Sequence, residues 1–200
     1  PVTGRRLAAL VGLWVLARVA LWAQHLLPGW LVSLATCLFP VVLLWQISAY
    51  LRLPQARPHT SIAALVVVVV ACQLGFHLAH LFGLSGLWAP ARFLDLALHL
   101  YVIIVVVTLT WITAVVIPAA LQRSGYRPAL AVTPARIRVA IGMLCLYTGL
   151  AFVAPTHPAT GWVALAAAAA QFDRLSEWPW GRPMGQPFML LVTLAYLWIP

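Results

Sequence analysis

Six ionisable side chains fall within or at the ends of long apolar runs: Arg18, His25, His77, His80, Asp95 and His99. Ionisable groups at membrane depth are costly and mark functional sites by default. His77 and His80 are three residues apart and share one helical face. His99 lies on the next run, beyond a short connection, so the two runs read as antiparallel neighbours. Imidazoles on adjacent helices at similar depth can supply axial ligands to a haem iron or nitrogen ligands to copper. A helical rise of about 1.5 Å per residue puts His77 roughly 6–8 Å, and His99 about 12 Å, below the outer helix ends.

Asp95 precedes His99 by one helical turn, a spacing that lets a carboxylate accept the second ring proton of a ligating histidine. Arg18 sits about 13 Å below the outer end of its helix by the same rise. It could reach Asp95 or neutralise a cofactor carboxylate. Plainer readings stand beside these. His25 and His80 also fit rings at the headgroup level, and Arg18–Asp95 also fits a structural ion pair. Asp173, Arg174 and Glu177 read as a solvated cluster at a helix end.

The elements that must position these groups follow from composition. Of 200 residues, 64% are hydrophobic and 8% charged, with a mean hydropathy of +1.00. A soluble domain carries about a quarter charged residues. The fold class is therefore all-α, a polytopic transmembrane bundle of about six spans plus the start of a seventh, at about 20 residues per span. The runs are 7–27, 31–51 with a kink at Pro40, 61–81, a long 91–121 with Pro118 near its end, 134–153, 160–175, and one starting near Pro187. The segments 52–59 and 83–90 read as loops, because proline, glycine and charge interrupt the pattern. The whole of 1–200 reads as a single transmembrane helical domain. Its start at Pro1 and its stop within an apolar run at Pro200 read as an internal fragment of a longer protein.

The net charge of +9 rests on twelve arginines, with no lysine. Alternating spans collect Arg5, Arg6, Arg52, Arg57, Arg123, Arg127, Arg136, Arg138, Arg174 and Arg182 on one side and Arg92 on the other. Positive loops stay cytoplasmic, so the N-terminal end is expected inside. Trp30 and Trp88 outside, with Trp178 and Trp180 inside, fit interfacial belts. Cys37, Cys72 and Cys145 stand apart and read as small buried residues without a disulfide framework. With three acidic residues, no carboxylate-pair hydrolase is available. There is no phosphate loop, dinucleotide fingerprint or HExxH motif, and nothing points to nucleic acid.

Several ordered motifs carry more. They are Leu-Trp-Val-Leu-Ala-Arg18, Gly75-Phe-His77-Leu, Val-Ile-Pro118, Arg174-Leu-Ser-Glu-Trp178, and the closing Pro187 to Pro200 run with Thr193, Tyr196 and Trp198. In this order the chain resembles the NnrS family over nearly its whole length. The resemblance implies a bacterial inner-membrane protein containing haem and copper, linked to nitric oxide metabolism and nitrosative stress. It places Arg18, His77 and His99 in the family's polar set. It also exposes departures: no Asp near Thr36, where one is expected, Val115 where an Arg is expected, and Thr193 where a His is expected.

The combined expectation is a haem-binding, and secondarily copper-binding, membrane protein that handles nitric oxide. His77 and His99 are the first ligands, His80 and His25 further metal candidates, with Asp95 and Arg18 assisting. Whether it turns over a substrate is left open. The rivals are a transporter or permease using Arg18, Asp95 and His99, and a non-catalytic membrane subunit that docks a partner.

Overall fold

The computed structural model describes residues 4–51, 60–123, 125, 133–178 and 182–197. The expected 52–59 loop with His59, and Arg127, Trp180 and Trp198, lie outside the described residues, as do the side chains of Arg5, Arg6, Arg123 and Arg182.

Runs rich in Val and Ile would favour strands in water. In lipid, every backbone group must pair within its own segment, which selects helix. The chain is accordingly helical, with no strand among the described residues. The helices are α1 (Arg5–Trp22), α2 (Gly29–Leu51), α3 (Thr60–Leu81), α4 (Pro90–Trp111), α5 (Ile117–Arg123), α6 (Pro134–Val153), α7 (Pro158–Arg174) and α8 (Pro187–Leu197). A π-helical turn at Ile112–Val116 joins α4 to α5, so one rod covers most of the expected long run. Among the described residues, four stretches, in α2, α3, the α4–α5 rod and α6, are long and apolar enough to cross a membrane. The outer surface is as apolar as the interior: Trp45, Leu98, Leu165 and Leu191 are all more than half exposed.

Helix ends follow local chemistry. Pro90, Pro134 and Pro158 open α4, α6 and α7, where a missing N–H costs nothing. His157 caps α7, its Nδ1 accepting from the Ala159 N–H at 3.2 Å. α1 stops at Trp22, earlier than the expected Leu27, and the chain turns before Pro28. His25 therefore stands in a turn and not in the helix. Gly83 and Gly86 adopt φ of 61° and 66° in the α3–α4 connection, a conformation that only glycine takes readily.

Both intrahelical prolines are accommodated, by different means. Pro40 has no N–H to give the Thr36 carbonyl one turn back. The Gln73 side chain on α3 donates Nε2–H to that carbonyl at 3.0 Å. Pro118 would likewise deprive the Ala114 carbonyl, and here the backbone widens into the π-helical turn instead.

The packing gathers into two compact units, residues 1–97 and 98–200. In the first, α1 packs on α2 and α2 on α3. In the second, α6 packs on α7, and a buried cluster of Leu109, Ile117, Leu121, Leu175, Trp178, Met189 and Tyr196 ties the α4–α5 rod to the turn that follows α7 and to α8. Trp178 is thus a core residue, 5.6 Å from the Tyr196 ring, and not part of an interfacial belt. Trp30 and Trp88 are exposed as the belt requires. Of the cysteines, Cys72 is buried but Cys145 is exposed, against the expectation that all three fill the interior.

Candidate functional site

In the first unit, α2 and α3 share a polar seam within otherwise apolar helices. Gln73 and His77 lie one turn apart on α3 and both meet Thr36 of α2. Gln73 takes the Thr36 carbonyl, and the Thr36 hydroxyl lies 2.8 Å from His77 Nε2. Thr36 is 4% exposed, and its hydroxyl also reaches the Val32 carbonyl at 2.8 Å and the Ser33 carbonyl at 3.1 Å. Phe76 stands edge-on to His77 at 5.3 Å and stacks on His80 at 6.5 Å.

His25, His77 and His80 line one open pocket of about 410 Å³ with Gln24, Ser33 and Phe76. That volume is within the range of small-molecule sites. No group of three His, Cys, Asp or Glu among the described residues is arranged to hold a metal ion. The pocket thus offers imidazole donors singly, with no finished three-residue cage.

His99 belongs to the second unit. Its ring meets Tyr147 of α6 edge to face at 5.0 Å, and the two line a pocket of about 270 Å³ with Thr148 and Gln171. Asp95 is exposed and forms no hydrogen bond or ion pair among the described residues, so the orienting contact expected of it is not made. Arg18 is also exposed. It lies over the Trp14 ring at 5.4 Å and forms no ion pair with Asp95. The guanidinium rests on an aromatic of its own helix, a favourable cation–π arrangement.

One polar cluster departs from its sequence reading. Asp173 is exposed and pairs with Arg136 at 3.2 Å. Glu177 accepts the Thr133 N–H at 2.9 Å and lies 4.0 Å from Arg136. Arg174 between them is 4% exposed and turns into the core. It donates from Nη2 to the Thr110 hydroxyl at 2.8 Å and lies over the Tyr196 ring at 5.3 Å. The Tyr196 hydroxyl donates to Gln171 Oε1 at 3.1 Å, and Gln171 Nε2 donates to the Ala140 carbonyl at 3.3 Å. A signal existed in the spacing: Gln171 and Arg174 are one turn apart on α7 and share a face.

A family model described as NnrS protein matches residues 1–200. The chain belongs to the NnrS family. No curated protein and no solved structure matches it.

Within this NnrS-family chain, the three positions that depart from the resemblance have distinct surroundings. Thr36, near which an Asp is expected, is the residue that touches His77. Val115, where an Arg is expected, is half exposed in the π-helical turn. Thr193, where a His is expected, is buried and closes on its own helix, donating to the Met189 carbonyl at 2.8 Å.

Proposed function

We propose that this NnrS-family protein binds haem, or secondarily copper, in the bacterial inner membrane and acts in nitric oxide metabolism or the nitrosative-stress response. The arginine distribution orients it with its N-terminal end in the cytoplasm. The observation that carries the reading is the pocket in the first unit, where three imidazoles face one volume and His77 is keyed by a buried hydroxyl.

The hydrogen bonds suggest how His77 is prepared. A hydroxyl has one proton. Donated to the Val32 carbonyl, it leaves the Thr36 oxygen to accept from His77 Nε2–H. That tautomer leaves the Nδ1 lone pair free to ligate, the usual division of labour in a ligating imidazole. His80 and His25 are further donors on the same wall, while His99, with Tyr147, would serve a ligand in the second unit. A bound haem iron or copper supplies nitric oxide coordination and single-electron transfer. The protein's part is to hold the imidazole and present the pocket. Arg18, exposed and resting on Trp14, forms no pair with Asp95 and so suits a cofactor carboxylate better.

The test is metal and haem content of the purified protein with and without His77→Ala. Loss of a haem or copper signal in the variant supports the reading. A wild-type protein free of both removes it.

A transporter is the second reading, favoured by the π-helical interruption before Pro118 and the buried Arg174, since broken spans and intramembrane charge mark substrate paths. Substrate-dependent uptake into proteoliposomes, absent in Arg174→Gln, would put it ahead. A partner-docking subunit would instead co-purify with another chain and show neither metal nor transport.

A further inference from the structure

We infer that the pocket of the second unit binds a lipid-soluble quinone, with His99 and Tyr147 as its hydrogen-bonding pair. The pocket lies between α4, which supplies His99, α6, which supplies Tyr147 and Thr148, and α7, which supplies Ala164, Ala168 and Gln171. The three α7 residues fall on one helical face. Two of them carry only a methyl group, and such short side chains leave room for the volume of about 270 Å³.

Two polar groups in this space are uncommitted. The His99 and Tyr147 rings meet edge to face at 5.0 Å, but neither a His99 ring nitrogen nor the Tyr147 hydroxyl has a hydrogen-bond partner among the described residues. The other polar lining groups are engaged. Thr148 donates to the Leu144 carbonyl at 2.8 Å, and Gln171 holds the Ala140 carbonyl and the Tyr196 hydroxyl. By the helical rise, His99 lies about 13 Å from the start of α4 and Tyr147 about 9 Å from the end of α6. Both helices belong to stretches long and apolar enough to cross a membrane. Unmet polar groups at such a depth are costly, because lipid offers them no partner.

The lining selects the ligand. A neutral imidazole and a phenol each have one donor hydrogen and acceptor capacity. They can donate to a carbonyl oxygen or accept from a hydroxyl, which suits both a quinone and its quinol. Among the described residues no arginine, carboxylate or thiol lines the pocket, so a charged headgroup or an ion meets no counter-charge there. An acyl chain would leave both polar groups unmet. The volume lies just under the usual range of small-molecule sites, roughly 300–1,000 Å³. It takes a ring and leaves a hydrocarbon tail outside. The pocket is open, and Leu98 and Leu165 beside its lining residues are exposed and apolar, so the tail can stay in lipid. The site does not depend on a metal at His77.

The test is isothermal titration of the intact protein, in one mild detergent throughout, with a decyl-substituted dimethoxy-methyl-benzoquinone. Decylbenzene, which has the ring and tail without the oxygens, is the comparison. The expected result is saturable binding of one quinone per chain and no saturable binding of decylbenzene. Tyr147→Phe keeps the ring and removes the hydroxyl, and should weaken binding about fivefold to tenfold. Ala164→Leu fills the pocket with both polar groups in place, and should abolish binding. Absence of saturable quinone binding to the wild type, equal binding of decylbenzene, or wild-type affinity in either variant overturns the proposal.

Discussion

At the residue scale, Thr36 governs the account of His77. A partner that holds the far nitrogen of a ligating histidine fixes its ring and tautomer, and removing such a partner costs about 10–100-fold in metal affinity. Thr36→Val keeps the volume and removes the hydroxyl, so copper or haem titrated into the purified variant should bind about tenfold or more weakly. Thr36→Asp places a carboxylate on Nε2 and should restore or exceed wild-type affinity; equal affinity in all three proteins would show that the 2.8 Å contact is only packing. His77 was legible in the sequence because an imidazole in an apolar run is conspicuous. Its partner was not, since a threonine in such a run is ordinary and the contact crosses from α2 to α3. Arg174 was misread for a geometric reason. Successive residues on a helix point about 100° apart, so Asp173 faces Arg136 at the surface while its neighbour turns inward. Adjacent charges in a sequence looked like one cluster and are two.

At the scale of elements, the two prolines make opposite demands. Gln73→Leu should leave the Thr36 carbonyl without a donor, at a cost of about 1–3 kcal/mol. In a Pro40→Ala background the helix regains its own N–H for that carbonyl, and the same substitution should cost little. A double-mutant cycle on unfolding in detergent measures this coupling; additive effects would mean that Gln73 does not serve Pro40. The α3–α4 approach is close: a Cβ on Gly75 would lie 2.5 Å from the Phe93 ring. Gly75→Ala should destabilise by about 1–3 kcal/mol through overpacking. The effect should shrink in a Phe93→Leu background, and an unchanged melting temperature would show that the ring moves freely. Helix positions were legible to within a few residues because apolar runs and prolines bound them. The π-helical turn was not, because Pro118 announces a disturbance without saying how the backbone absorbs it.

At the scale of the molecule, a surface as apolar as the interior needs lipid around it, and composition alone made that plain. Which residues gather into each unit depends on side-chain contacts between distant segments, such as Trp178 with Tyr196, and these have no local signature. Orientation is tested by labelling single cysteines in intact cells, after replacing the native three. A cysteine at Ser85 should react with an impermeant reagent from outside, and one at Thr133 only after lysis; the reverse would invert the topology.

The central claim is that the histidine pocket of the first unit holds a redox-active group. The most direct measurement is the absorption spectrum of the intact protein in mild detergent, before and after dithionite, with metal analysis of the same sample. The account predicts a Soret band that shifts on reduction, or stoichiometric copper, with either signal lost in His77→Ala. A featureless spectrum without copper, or a signal unchanged by His77→Ala, would contradict it.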